Sequence, residues 1–168
     1  MCSPQSFLVF FRQRLHKANI RFALTSGQAC VHYGIQQTTK DSDWIVEPRD
    51  LGKLVALLVK LDTSPGMSVS YRAICGAPCS ADYLGNGWTT HVRITDADST
   101  DHHLDFFGQA PRVTVLECDP LDSDIASRVL VAQMKKTDRE KDWPFVAALG
   151  KQAIVQGDAR GILHGQDV

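Results

Sequence analysis

The sequence predicts an α+β (α/β) domain, a mixed β-sheet with helices packed on it. Three observations carry this. Apolar residues recur at helical spacing near the start, the middle and the end of the chain. Short segments between them alternate at strand period. The segments run helix, strand, helix, strand, helix, several strands, helices, an order that suits helices packed on one sheet. A length of 168 residues is enough for one compact core. The expected organisation is one domain over residues 1–150, then a loosely ordered tail, 151–168, where the apolar signal thins.

Taken in order, Ser6 to Ala18 reads as a helix, with Phe7, Leu8, Phe10, Phe11, Leu15 and Ile20 recurring near helical spacing and Arg12, Arg14 and Lys17 on the other side. Arg21 to Thr25 alternates as a short strand, and Ser26-Gly27 breaks it. Gln28 to Tyr33 suits a short helix stopped by Gly34. Asp43 to Val46 is a second strand, closed by Pro48. Asp50 to Leu61 is an amphipathic helix with Asp50 as its amino-terminal cap. Met67 to Cys75, Thr89 to Ile94 and Leu104 to Phe107 favour strands, separated by Gly85-Asn86-Gly87 and by the loop Asp96 to Asp101. Asp122 to Gln133 and Thr137 to Leu149 read as helices, with Pro144 ill placed inside the second.

Composition narrows the function. Hydrophobic residues make up 43% and charged residues 22%, an ordinary globular balance. No apolar run approaches the roughly 20 residues that span a bilayer, so no membrane association is expected. The amino terminus lacks the basic and apolar regions of a signal peptide, and the expected location is cytoplasmic. A net charge of −1 argues against an extended nucleic-acid surface. The five cysteines are scattered and read as reduced thiols; Cys75 and Cys79, separated by Gly76-Ala77-Pro78, have no second pair to complete a zinc site.

One constellation points to chemistry. Asp41 and Asp43 are two apart at the mouth of a strand, so both carboxylates point to one face. Carboxylates that close repel each other unless a cation lies between them, and Mg²⁺ takes oxygen ligands while leaving sites for phosphates. Asp105, inside His103-Leu104-Asp105-Phe106-Phe107, is an acid in an apolar strand and a candidate third ligand. Upstream, Leu24-Thr25-Ser26-Gly27 ends a strand and opens a helix, where small residues and unpaired N–H groups favour phosphate.

Leu24-Thr25-Ser26-Gly27 followed by Asp41-Ser42-Asp43-Trp44 resembles the nucleotidyltransferase superfamily, in which a Gly-Gly or Gly-Ser turn precedes Asp-x-Asp and a third Asp lies on a later strand. Phe22 to Gly34, Thr39 to Asp43 and the late basic run Lys135 to Asp142 are closest to the small AbiEii-like branch. The resemblance covers roughly residues 5 to 149. It departs in having Ser26 first in the turn, Ser42 where an apolar residue is common, and Gln37 where Arg is frequent. It implies a DNA polymerase beta-like nucleotidyltransferase fold and a Mg²⁺- or Mn²⁺-dependent transfer of NMP from an NTP to a hydroxyl of RNA, protein or a small molecule. Asp41, Asp43 and Asp105 would be the metal-binding catalytic residues, with Ser26, Gly27 and Lys135 on phosphate. A cognate antitoxin or partner protein is implied too. The alternative is a catalytically inactive member that binds nucleotide or protein.

The remaining polar residues have plainer readings. Lys135, Lys136, Arg139 and Lys141 suit a solvated helix face, with Asp142 paired to a basic neighbour. His102 and His103 read as loop-edge bystanders, His32 as packing, and Trp44, Trp88 and Trp143 as core or core-edge residues.

Overall fold

The computed structural model describes residues 4–71, 79–108 and 116–165. The helices are α1 (Pro4–Lys17), α2 (Ser26–His32), α3 (Leu51–Asp62), α4 (Ala81–Gly85), α5 (Arg128–Lys135), α6 (Trp143–Val155) and α7 (Ile162–Gly165). The strands are β1 (Phe22–Thr25), β2 (Asp41–Val46), β3 (Ser68–Tyr71), β4 (Thr89–Thr95) and β5 (Asp101–Phe107), joined in one mixed sheet in the order β1-β2-β5-β4-β3. The fold is α+β, as the pattern predicts. Two compact units are distinguished, Met1–Phe22 with Lys40–Gln109, and Ala23–Thr39 with Ala110–Val168.

In the first unit β2 runs parallel to β5, while β5 with β4 and β4 with β3 are antiparallel. One face of this sheet is core. Trp44, Val92, Ile94, Leu104 and Phe106 are buried on it, and the Phe11 ring of α1 meets Trp44 edge-on at 5.1 Å. Of the apolar residues on α1, Phe7, Phe11 and Leu15 are buried, while Leu8 and Phe10 are only half-buried. On α3, Leu51, Leu54, Leu58 and Leu61 are buried in the same way.

Several elements differ from expectation. β2 begins two residues earlier, at Asp41, and β5 begins at Asp101, so His102 and His103 lie within a strand rather than at a loop edge. Pairing of β5 with β4 out to Thr95 accounts for the extension. Asp50 occupies the cap position of α3 without capping it. A one-turn 3-10 helix, Pro48–Asp50, already leads into α3, and the Asp50 carboxylate instead accepts from the Arg21 N–H at 2.9 Å and Lys53 Nζ at 2.6 Å. Of the strand expected over Met67 to Cys75, Ser68–Tyr71 forms, and 72–75 lie outside the described residues.

In the second unit, α2 begins at Ser26 and ends before Gly34, whose φ of 70° suits the residue that stops it. The helix expected from Asp122 begins only at Arg128. Leu24 exchanges backbone hydrogen bonds with Asp124 and Ala126, which keeps that segment extended, and the Ser127 hydroxyl then caps α5 through the Leu130 N–H. Pro144 does not fall in a helix interior: it lies in the first turn of α6, where its missing N–H has no intrahelical partner to lose. α6 runs on to Val155, and a Cβ at buried Gly161 would lie 2.5 Å from the Gly150 carbonyl oxygen, so residues beyond 150 pack closely there. Tyr33 ties α2 to the start of α5: its hydroxyl donates to the Ala126 carbonyl at 2.5 Å and Arg128 stacks 3.9 Å above its ring.

Among the described residues no helix is long and apolar enough to cross a membrane.

Candidate functional site

Strand alternation gives the sheet of the first unit two unlike faces. Opposite the core, β2 presents Asp41 and Asp43, β5 presents His103 and Asp105, and β4 presents His91 and Arg93, all exposed or half-buried. Register then sorts them into rows. Asp43, Asp105 and His91 are directly opposite one another across three strands, and Asp41, His103 and Arg93 form the next row. Neighbouring strands lie about 4.8 Å apart, so members of a row are within side-chain reach.

The structure thus brings Asp41, Asp43 and Asp105 onto one face. Asp105 Oδ1 lies 2.6 Å from His91 Nδ1, and both side chains are about a quarter exposed, at 26% and 22%. The carboxylate fixes the ring's orientation and engages Nδ1, which leaves Nε2 outside this contact. Arg93 donates from Nε to the Ser70 hydroxyl at 3.1 Å and lies 3.5 Å from Asp101, which puts positive charge beside the acidic rows. Among the described residues, no group of three or more His, Cys, Asp or Glu side chains is gathered as a metal ion needs. His91 and Arg93 were not singled out by the sequence. Their strand was legible, but the approach of His91 to Asp105 and of Arg93 to Asp101 depends on which strand lies beside β4.

Ser42 lies between Asp41 and Asp43 and turns away from both. It points to the buried face, where its hydroxyl accepts from the Trp44 indole N–H at 2.8 Å and donates to the His103 carbonyl at 3.3 Å. His102 is buried on that side too, stacked 3.7 Å from Phe7 and held by Asp96 at 3.0 Å, so it is structural. That hydrogen bond, with the Thr100 N–H, holds the Asp96 carboxyl below its ordinary range.

Ser26, Gly27 and Lys135 belong to the second unit. Thr25 is extended (φ −134°), Ser26 is left-handed at φ 49°, and buried Gly27 follows against Thr39. A left-handed non-glycine residue stores strain, a feature that clusters at functional turns. Lys135 is not on a solvated face. It is buried at the end of α5, its Nζ 3.7 Å from Asp142 and 5.0 Å from the Phe145 ring centre. Asp142 also meets Arg139 at 2.7 Å and the Thr137 hydroxyl at 3.0 Å, the basic pairing expected of it. Burial pushes the nearby Cys30 thiol up, so it stays protonated.

His32 is exposed rather than packed, and its ring meets Tyr33 edge-on. Of the tryptophans, Trp44 is fully buried and Trp143 half-buried, whereas Trp88 is 59% exposed and rests edge-on against Tyr83. Among the described residues Cys30, Cys79 and Cys118 form no disulfide, while Cys2 and Cys75 lie outside the described residues. Comparison with models of known families and with curated proteins returns no match, so the likeness to nucleotidyltransferases stands on the residues quoted above alone.

Proposed function

We propose that the acidic face of the first unit is the metal and NTP site of a Mg²⁺- or Mn²⁺-dependent nucleotidyltransferase. One observation supports this most: Asp43 and Asp105 are register partners on adjacent parallel strands, on the half-exposed face of a sheet whose other face is core. Like charges directly opposite cost stability, and a cation between them removes that cost. The donor set is carboxylate oxygen, which fits a hard divalent ion rather than zinc. Asp41 and Asp43 would hold it with Asp105. Once bound, the ion would neutralise phosphate charge and orient the oxygens for displacement of pyrophosphate.

The chain's own residues supply the proton handling. Asp105 orients His91 through Nδ1, which leaves Nε2 able to take the proton of an attacking hydroxyl. Arg93, beside this row, favours an approaching anion. The acceptor is a hydroxyl of RNA, protein or a small molecule, and the phosphate roles of Ser26, Gly27 and Lys135 stay with the family resemblance.

Calorimetric titration of Mg-ATP, Mg-GTP, Mg-CTP and Mg-UTP into the wild type and an Asp41→Ala/Asp43→Ala variant tests the reading. Metal-dependent binding by the wild type that the variant loses is the expected result. Failure of the wild type to bind any of the four would sink it. Binding without label transfer to RNA, protein or small-molecule acceptors would favour the non-catalytic alternative.

A further inference from the structure

On the helical side of the first unit, a groove of about 570 Å³ lies between α1, α3 and the turn that follows α3. Its size is that of a small-molecule site. It is separate from the acidic rows, because α1 packs on the Trp44 face of the sheet, opposite Asp43. Its lining combines two chemistries. Phe10, Leu57, Leu61 and Met67 form an apolar floor, and Arg14, Lys17, Lys53 and Lys60 rim it, with no Asp or Glu among the lining residues.

We infer that this groove binds a small amphipathic anion, an alkyl chain carrying one carboxylate. Four cations without a lining acid, in a chain whose net charge is −1, make a local positive patch. Lys53 is partly engaged by Asp50 and the Asn19 carbonyl, and the Arg14 guanidinium sits 4.8 Å from the Phe10 ring centre, against the floor. Lys17 at the end of α1 and Lys60 near the end of α3 complete the rim. An alkyl body suits the floor better than a nucleoside does. Ser64 is the one uncharged polar side chain in the lining, and its hydroxyl is given to the Lys60 carbonyl at 2.8 Å, so little is left to read a base or a sugar. The inference is independent of the catalytic reading.

The test is calorimetric titration of dodecanoate, below its micelle concentration, into the full chain. Saturable one-to-one binding is expected, weaker by about tenfold in Lys17→Glu/Lys60→Glu, whose positions are exposed. Dodecanol, which keeps the chain and lacks the charge, should bind the wild type about tenfold more weakly, and butyrate, which keeps the charge and lacks the chain, should not saturate. Equal binding of dodecanol and dodecanoate would overturn the inference, as would no loss in the variant. Capture by anionic vesicles with no binding of free dodecanoate would identify a membrane surface instead and equally reject it.

Discussion

Two adjacent residues in the turn from β1 into α2 should respond to substitution with opposite signs. Ser26 has φ 49°, where a side chain costs about 1–2 kcal/mol, so Ser26→Gly removes that strain. Glycine also makes the unfolded chain looser, at a cost of about 0.5–1 kcal/mol, which leaves a net gain of about 0.5–1 kcal/mol. For a chain of this length that is a rise of about 2 °C in Tm. Gly27→Ala should do the reverse. Its Cβ would lie 2.5 Å from Thr39 Oγ1 and 3.0 Å from Thr39 Cβ. Threonine is stiff at χ1, so the clash has to move backbone, at a cost of about 1–3 kcal/mol. Urea unfolding of both variants reads the signs directly, and Thr39→Gly in the Gly27→Ala background should recover most of the loss. A loss above about 1 kcal/mol in Ser26→Gly would refute the strain argument, because it would mean the Ser26 side chain, not the backbone, holds the turn.

Ser42→Ala should cost about 1–2 kcal/mol in urea unfolding, since it leaves the buried Trp44 indole N–H without its acceptor. Tyr33→Phe removes a buried hydroxyl bonded to the Ala126 carbonyl and should cost about 1–2 kcal/mol, read as a lower urea midpoint. Asp50 is held below its ordinary 3.8 by Lys53 and the Arg21 N–H, and Asp96 is lowered by His102 and the Thr100 N–H. Both folded pKa values lie below the unfolded ones, so their contribution is full above pH about 4 and is lost as pH falls through the folded values. Thermal melts from pH about 5 to about 2 should therefore fall less steeply in Asp50→Asn/Asp96→Asn than in the wild type.

Local patterns were legible where the chain's own periodicity decides the outcome. The α1 stripe, the α3 stripe and the alternation around Trp44 and Leu104 each fix a buried face, and the structure buries those faces. Boundaries were less legible where a partner sets them. β5 begins at Asp101 because β4 continues to Thr95, and α5 waits until Arg128 because Leu24 holds Asp124 and Ala126 extended. Lys135 opens a basic run that reads as solvated, yet a carboxylate supplied from beyond the helix makes its burial tolerable.

The acidic face divides the same way. Asp41 and Asp43 share a face because side chains two apart in a strand always do, and Asp105 opposes its apolar neighbours for the same reason. These follow from the sequence alone. That Asp105 sits opposite Asp43 and meets His91 follows from β5 lying between β2 and β4, parallel to one and antiparallel to the other. Strand order is a long-range choice, made by which buried surfaces fit together, and the alternation within a single strand does not encode it.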